Sequence, residues 1–279
     1  MAADPDRRIT PARPDLAAAY LKGKVGAARY VEGAGYGIAV GRAGLHAGPS
    51  IHSEQVSELL AGDIFTVYEQ TPGLAWGQCR SDGYVGYISD RALGPVIAPN
   101  GRVRVPMSPL YLKPDLKSPI VDFLPLNALV QSGGNEGDYV RLANTGRYIY
   151  GRHLAPLEQL ESDFVAVAER FAGVPYVWGG KTFAGMDCSG LVQTALAATG
   201  VSAPRDTDMM ERDLGRPIVI TDAGRGDLVF WKGHMGIVLE GKRLLHANGF
   251  HMQVAVEPLD DALARVEKAA GPVTAVKRL

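Results

Sequence analysis

Alternating apolar and polar positions dominate the chain from about residue 36 to residue 157. Runs such as Asp63-Ile-Phe-Thr-Val-Tyr and Gly83-Tyr-Val-Gly-Tyr-Ile follow the two-residue period of a half-buried strand. Turn-forming spacers separate the runs, among them Gln70-Thr-Pro-Gly and Arg80-Ser-Asp-Gly. The pattern predicts short strands linked by tight turns, and therefore small all-β domains in this part of the chain.

The strand pattern also repeats, at an offset of 63 or 64 residues. Asn127-Ala-Leu-Val-Gln corresponds to Asp63-Ile-Phe-Thr-Val, and Gly146-Arg-Tyr-Ile-Tyr corresponds to Gly83-Tyr-Val-Gly-Tyr. A unit of about 60 residues that occurs twice is typical of two small β-barrels in tandem. We therefore predict two consecutive barrels.

The first 35 residues are polar and contain one helix-like run. Asp15 is a residue type that caps helices and the alanines after it favour helix, so we predict a short helix over Asp15–Lys22. The N-terminus shows no apolar core of a signal peptide, and no apolar run approaches the roughly 20 residues of a membrane span. We expect a cytoplasmic protein with no membrane partner.

The pattern changes at Glu158, where helical spacing replaces alternation. Leu160–Ala172 is predicted to be an amphipathic helix, and a second helix is predicted to run from the apolar stretch after Cys188 to about Thr199. The later predicted elements are strands at Asp227–Trp231, Met235–Leu239 and Arg243–His246, a helix at Leu259–Ala269 and a strand at Val273–Val276. Helices followed by an antiparallel meander indicate an α+β domain.

These patterns together predict an α+β domain preceded by two all-β barrels. The predicted parts are an arm (residues 1–35), a first barrel (36–94), a second barrel (95–157) and the α+β domain (158–279). Hydrophobic residues are 46% of the chain and charged residues 21%, which is ordinary for globular proteins. The formal net charge of −1 gives no reason to expect a nucleic-acid partner.

The candidate chemistry centres on Cys188, in the glycine- and aromatic-rich stretch Pro175–Leu191. A thiol at a helix start faces unpaired N–H groups and the positive end of the helix dipole, and both lower its pKa. We therefore predict a nucleophile, with a buried structural thiol as the alternative. Cys79, in a predicted strand, is expected to be structural, and both cysteines are expected to be reduced.

A nucleophilic thiol needs a base, and the chain has six histidines. His234 starts one predicted strand and His246 ends the next. A tight hairpin between these strands places His246 beside His234, with His251 as the alternative partner. A nucleophile, a base and a group that orients the base are the minimum set for acyl transfer.

The sequence motifs argue against two other kinds of site, a phosphate-binding loop and a catalytic metal site. Gly179-Gly-Lys-Thr has the ending of a phosphate-binding loop, but Pro175 stands where that motif needs glycine, and a helix precedes it. The chain has no His-Glu-x-x-His run and no paired Cys-x-x-Cys, so we predict no catalytic metal and no cofactor.

The motifs YVWGG, DCSGLV, GDLVFW, GHMGIVL and LLHAN together resemble the NlpC family of papain-like cysteine peptidases, which cleave bacterial cell-wall peptides. The resemblance covers residues 160–279. It implies a papain-like fold in which Cys188 is the nucleophile, His234 the base and His246 the residue that orients the base.

The two predicted barrels resemble bacterial SH3-like domains, and the whole arrangement resembles the YkfC-like branch, which recycles murein peptides. This resemblance implies hydrolysis of the γ-D-glutamyl–diamino acid bond in peptides with a free N-terminal L-alanine, with diaminopimelate or L-lysine in third position. It also implies that Tyr84 and Asp206 hold the free amino group. The alternatives are a barrel aromatic for Tyr84 and a helix N-cap for Asp206.

The resemblance assigns further substrate contacts in the same way. They are Tyr176, Thr207, Asp187, Ser189 and, as a second carboxylate near the amine, Glu54. Two rival functions remain at this stage. One is an exported murein endopeptidase that acts on intact peptidoglycan, with the SH3-like pair binding the wall. The other is a non-catalytic wall-peptide binding protein.

Overall fold

The computed structural model describes residues 5–279, and the chain divides into two compact units, Met1–Leu157 and Glu158–Leu279. The first unit consists of strands and short 3₁₀ turns, whereas the second combines helices with a sheet. The predicted fold class, an α+β domain preceded by an all-β region, is confirmed. Across the described residues, no helix is long and apolar enough to cross a membrane.

The strands of the first unit are β1 (Leu16–Ala18), β2 (Arg29–Val31), β3 (Ala34–Ile38), β4 (Arg42–His46), β5 (Gln55–Leu60), β6 (Ile64–Thr71), β7 (Leu74–Cys79), β8 (Val85–Ser89), β9 (Leu93–Gly94), β10 (Gly101–Val103), β11 (Met107–Tyr111), β12 (Ile120–Pro125), β13 (Leu129–Val130), β14 (Ser132–Glu136), β15 (Tyr139–Leu142), β16 (Tyr148–Tyr150) and β17 (Leu154–Ala155). One sheet has the order β5-β4-β8-β7-β6-β3-β9. The next part of the unit forms the sheets β12-β11-β16-β15-β14 and β13-β10-β17.

The order of elements is similar in both parts of the first unit, although the second part has β13 and β14 where the first has β6. Each has an antiparallel hairpin, β4–β5 or β11–β12, and each later has a 3₁₀ turn, at Asp90–Ala92 or Gly151–His153. Each part also has its own apolar core, which includes Phe65 in the first and Ile149 in the second. Repetition in the sequence therefore corresponds to repetition of structure.

The N-terminal arm lies on strands β7 and β8. The guanidinium of Arg13 lies 4.4 Å from the ring centroid of Trp76 and forms an ion pair with Glu69 at 2.5 Å. The backbone N–H of Val85 donates to the carbonyl oxygen of Arg8 at 2.7 Å. The arm is therefore part of the first unit's packed structure.

The predicted helix at Asp15–Lys22 is wrong. Leu16–Ala18 is strand β1, which pairs in parallel with β2, and Ala19–Leu21 is a 3₁₀ turn. All three residues of β1 are completely buried. Burial of three consecutive side chains outweighs the weak helix preference of the alanines.

The elements of the second unit are α1 (Phe164–Glu169), β18 (Lys181–Thr182), β19 (Gly185–Met186), α2 (Cys188–Ala198), α3 (Thr207–Asp213), β20 (Arg216–Pro217), β21 (Leu228–Trp231), β22 (His234–Leu239), β23 (Arg243–Asn248), β24 (Gln253–Pro258), α4 (Leu259–Ala270) and β25 (Ala275–Arg278). The main sheet has the order β20-β25-β21-β22-β23-β24. Helix α2 packs against β22 and β23, and α4 covers β21, β23 and β24.

Helix α1 and strand β24 of this unit differ from prediction, and the two-residue strands β18, β19 and β20 were not predicted either. Helix α1 starts at Phe164 rather than Leu160, because Asp163 caps it by accepting the backbone N–H groups of Val165 and Ala166. Strand β24 was not predicted, although it forms a regular antiparallel pair with β23. Its exposed valine, Val256, and its terminal proline weaken the alternating pattern.

Candidate active site

Cys188 is the first residue of α2, and the residue before it sets its position. The carboxylate of Asp187 caps the helix by accepting the backbone N–H of Gly190 at 2.7 Å. A Cβ atom on Gly190 would lie 2.1 Å from the carbonyl oxygen of Gly180, so this position requires glycine. The thiol is thus held at the N-terminal end of a buried helix.

A buried ion pair fixes the same helix start. Arg205, 1% exposed, donates to both carboxylate oxygens of Asp187, at 3.0 and 2.5 Å. The Asp187 carboxylate also accepts the N–H of Gly179, and the Ser189 hydroxyl accepts from Arg205 at 2.9 Å. Both side chains are buried in contacts that hold the helix start, and substrate contact of Asp187 and Ser189 stays a prediction.

The surroundings of the Cys188 thiol raise its pKa. Burial raises the pKa to about 11, and the negative charge of Asp187 acts in the same direction. Three groups act in the opposite direction and lower the pKa. They are the Thr207 hydroxyl, which lies 3.7 Å from Sγ, the backbone N–H of Met235 and the charge of Arg205. The predicted lowering of this pKa is wrong, because lost hydration outweighs the hydrogen bonds to sulfur. The thiol is therefore protonated at neutral pH.

The predicted base, His234, starts β22, and His246 lies on the neighbouring strand β23. Nε2 of His234 lies 2.8 Å from Nδ1 of His246, which confirms that the hairpin brings the two rings together. His251, the alternative partner, instead has its Nδ1 3.0 Å from Oδ1 of Asn248. His246 is therefore the ring placed to orient His234.

Burial keeps both imidazoles uncharged at neutral pH. It lowers the pKa of His234 to about 3, with the neighbouring His246 and Arg265 acting in the same direction. It also lowers the pKa of His246 to about 3, with Arg265 and His251 acting in the same direction. A neutral His234 can accept a proton from a thiol.

The packing of α2 on β22 brings the thiol to the strand that carries the base. The backbone N–H of Met235, the residue next to His234, hydrogen-bonds to the Cys188 sulfur. The nucleophile therefore lies against the strand that begins with the base.

A carboxylate that the sequence analysis did not single out lies behind the two rings. Oε1 of Glu257 lies 2.7 Å from Nε2 of His246 and also accepts from the guanidinium of Arg265 on α4. His246 faces Ala255 across the β23–β24 pair, so Glu257, two residues further, lies on the same face of the sheet. The signal was missing because β24 itself was not predicted.

Comparison with known proteins agrees with this geometry. Residues 173–267, which contain the cysteine and both histidines, match the profile of the NlpC/P60 family. The chain carries an NlpC/P60 domain. This family consists of cysteine peptidases. Residues 45–93 match the bacterial dipeptidyl-peptidase SH3 domain, so the first barrel is assigned, and an SH3-like second barrel stays a prediction.

Two curated relatives match parts of the chain. The γ-D-glutamyl-L-lysine dipeptidyl-peptidase of Bacillus subtilis is 28% identical over 135 residues, which are 44% of this chain and 45% of that protein. Dipeptidyl-peptidase 6 of Lysinibacillus sphaericus is 36% identical over 97 residues, 35% of this chain and 36% of that protein. The chain thus spans less than half the length of these relatives. A solved NlpC/P60 family protein from Bacillus cereus ATCC 10987 shares the fold, with a TM-score of 0.74 at 17% identity over 88% of this chain and 99% of that chain.

Three residues with predicted substrate contacts lie in the NlpC/P60 domain. Burial raises the pKa of Tyr176, so its phenol stays a hydrogen-bond donor. Thr207 contacts the thiol, as described above. Asp206 precedes α3, but its side chain makes no capping hydrogen bond. This geometry does not support the alternative prediction of a helix N-cap. Substrate contact stays the prediction for all three.

The other two predicted contacts, Tyr84 and Glu54, lie in the first unit. Tyr84 is 5% exposed and packs within the core of the first barrel, which favours the alternative of a barrel aromatic. Glu54 is exposed in the loop before β5. Contact of either residue with a substrate stays a prediction.

The histidine cluster also has the spacing of a metal site. Within residues 5–279, ligand atoms of His246, His251 and Glu257 lie within 4.8 Å of one another. However, both ring nitrogens of His246 already face hydrogen-bonding partners, His234 and Glu257. The guanidinium of Arg265 also adds a positive charge beside Glu257. The geometry therefore fits a hydrogen-bonded row of side chains better than a cation site.

Proposed function

We propose that this chain is a cysteine peptidase that hydrolyses the γ-D-glutamyl–diamino acid bond of murein peptides. One observation carries the proposal: the Cys188 thiol at a helix start adjoins the strand on which His234 is hydrogen-bonded to His246, within an NlpC/P60 domain. The names of the two curated relatives, both dipeptidyl-peptidases, support a murein peptide as substrate.

In the first half of the reaction, His234 removes the proton of the Cys188 thiol while sulfur attacks the γ-carbonyl carbon. A carbon–sulfur bond forms, and the carbonyl oxygen becomes an oxyanion. The backbone N–H of Cys188 at the helix start and the Tyr176 hydroxyl are the donors for this oxygen. His234 then gives its proton to the leaving amine as the carbon–nitrogen bond breaks.

In the second half, His234 removes a proton from a water molecule, whose oxygen attacks the thioester carbon. The carbon–sulfur bond breaks, the dipeptide leaves as a carboxylic acid, and His234 returns the proton to sulfur.

The pKa values require that proton transfer and attack occur together. Burial raises the pKa of the Cys188 thiol to about 11 and lowers the pKa of His234 to about 3, so the resting pair is a neutral thiol and a neutral imidazole. A preformed thiolate–imidazolium pair would need these values in the reverse order. The base therefore acts during the attack rather than before it.

We further propose that Asp206 selects peptides with a free amino terminus. Asp206 is the neighbour of Thr207, whose hydroxyl contacts the Cys188 sulfur. A carboxylate at this position pairs with the ammonium group of an N-terminal alanine, and an ammonium group in a cleft needs such a partner. Intact wall, whose alanine is acylated, would leave the carboxylate unpaired and would bind poorly.

The test is hydrolysis of L-Ala-γ-D-Glu-diaminopimelate and the corresponding L-lysine peptide, each beside its N-acetylated form. We expect the free peptides to be cleaved and the acetylated forms to be cleaved at least about 10²-fold more slowly. Cys188→Ala removes the nucleophile and should abolish turnover. Cys79→Ala, the matched change at the buried thiol of β7, should retain it.

Each outcome decides one part of the proposal. Equal turnover of free and acetylated peptides would reject selection by Asp206. No turnover of any peptide would reject the peptidase, and clearing of whole sacculi would indicate an endopeptidase of intact wall. The proposal also places the reaction in the cytoplasm, on peptides already released from the wall. Recovery of the protein outside the cytoplasm on fractionation would contradict that part.

A further inference from the structure

We infer that Glu257 is a positioning residue that fixes the protons on both active-site histidines and thereby makes Nδ1 of His234 the base. The inference rests on the proposed cysteine hydrolase function and deepens it. It concerns a residue on β24 that does not touch the thiol, and that acts through His246.

Glu257 lies at the outer end of the hydrogen-bonded row His234–His246–Glu257. Glu257 is 12% exposed at its side chain, and its Oε1 is shared between Nε2 of His246 and the guanidinium of Arg265. A carboxylate paired with a guanidinium has no proton and can only accept hydrogen bonds. Nε2 of His246 must therefore carry the proton in this hydrogen bond.

The proton on His246 then fixes the proton on His234. A neutral imidazole has one N–H, so a proton on Nε2 of His246 leaves Nδ1 as an acceptor. That Nδ1 lies 2.8 Å from Nε2 of His234, which must therefore be the donor. Nδ1 of His234 is left with a lone pair. The opposite arrangement would place a ring lone pair against a carboxylate oxygen at 2.7 Å.

The place of His246 in the sheet makes this arrangement persistent. His246 is completely buried, between His234 on β22 and Glu257 on β24, so water cannot replace either partner. The other charged or titratable groups that act on the two rings are Arg265 from α4 and His251 from the loop after β23.

The row of His234, His246 and Glu257 also stabilises the charge that forms when His234 takes the thiol proton. The new positive charge on His234 lies one ring away from the negative charge of Glu257, and that charge raises the pKa of His234. Glu257 therefore acts in two ways. It selects the correct ring nitrogen, and it stabilises the imidazolium that forms during the attack.

Two substitutions separate these two effects. Glu257→Gln keeps an oxygen that can accept from His246 but removes the charge, whereas Glu257→Leu removes the acceptor as well. The protonated nitrogen of each ring is observed by ¹⁵N NMR, with His234→Gln and His246→Gln used for assignment. Hydrolysis of the tripeptide gives kcat and KM. Glu267→Gln, an exposed glutamate on α4, is the matched control.

We expect Nε2–H on both rings in the original protein and in Glu257→Gln, with kcat lower by about 10-fold in that variant. In Glu257→Leu we expect a mixture of tautomers at His246 and a kcat lower by about 10²-fold or more. KM should change less than about 3-fold in both, because Glu257 does not contact the substrate. The Glu267→Gln control should match the original protein in every readout.

Other outcomes overturn the inference. A proton on Nδ1 of His246 in the original protein would contradict it, whatever the kinetics. The expected tautomers combined with an unchanged kcat in Glu257→Leu would remove the positioning role. If the original protein cleaves no peptide, the proposed function fails separately, and the rate of Cys188 alkylation by iodoacetamide then decides. An alkylation rate that Glu257→Leu leaves unchanged would overturn the inference.

Discussion

Two carboxylate–arginine pairs support the active site from opposite sides, and they differ in burial and in what they hold. Asp187 and Arg205 hold the backbone at the start of α2, where the nucleophile lies. Glu257 and Arg265 lie behind His246, where the Glu257 carboxylate contacts the imidazole ring. The arginine side chain is 1% exposed in the first pair and 26% exposed in the second.

The difference in burial indicates that the two pairs have different roles. The Asp187–Arg205 pair, the inner pair, maintains structure, whereas the Glu257–Arg265 pair, the outer pair, adjusts the base. A buried pair that loses one partner leaves an uncompensated charge, so its first effect is on folding. The outer pair is partly hydrated, so its loss changes stability little. Its charges nevertheless reach the rings: Arg265 lowers the pKa of both histidines, and Glu257 raises that of His234.

Among the substitutions, the largest expected effect on stability comes from breaking the inner pair. Arg205→Met should lower the free energy of unfolding of the second unit by about 3–5 kcal/mol, because the Asp187 carboxylate stays buried without its partner. Urea denaturation measures the loss. Arg225→Met, which breaks an ion pair with Asp163 whose side chains are 34% and 39% exposed, should cost at most about 1 kcal/mol. Equal losses in the two variants would mean that the inner pair has no special structural part.

Acid is also expected to lower stability, through the two histidines. In the folded protein the pKa of His234 and of His246 is lowered to about 3, below the ordinary 6.5, so below pH 6.5 the unfolded chain binds more protons. Their contribution to stability is complete above pH 6.5 and is lost as pH falls towards 3, with a slope of up to about 1.4 kcal/mol per pH unit for each ring.

A substitution at His246 tests this pH dependence of stability. His246→Gln removes one of the two groups, so the free energy of unfolding should fall less steeply between pH 6.5 and pH 4. His52→Gln, at an exposed position of the first unit, is the control and should leave the slope unchanged. A slope that His246→Gln does not reduce would show that its ring is protonated in the folded state.

The parts of the site that sequence analysis could predict are those that depend on local rules. The position of Cys188 follows from a capping aspartate before an apolar helix. The contact between His234 and His246 follows from one tight hairpin. Both signals lie within a few residues of the groups they place.

Sequence analysis missed groups whose positions depend on contacts between elements. Arg205 pairs with Asp187 across 18 residues of sequence, and Glu257 meets His246 only because β24 adds to the sheet edge. Neither contact produces a periodic pattern in the sequence that would predict it. The predicted direction of the pKa shift of Cys188 was wrong for the same reason. The helix start is a local feature and was recognised, but the burial that raises the pKa comes from the surrounding fold.

The smallest expected effect comes from replacing the arginine of the outer pair. Arg265→Gln removes a positive charge that lowers the pKa of both histidines, so both values should rise. The acidic limb of kcat/KM should then move to higher pH by roughly half a unit to one unit, while kcat near pH 8 stays within about 3-fold. Lys268→Gln, an exposed cation on the same helix, is the control and should leave the limb in place. An acidic limb that also stays in place in Arg265→Gln would mean that the outer pair does not tune the base. The two pairs would then differ only in their burial.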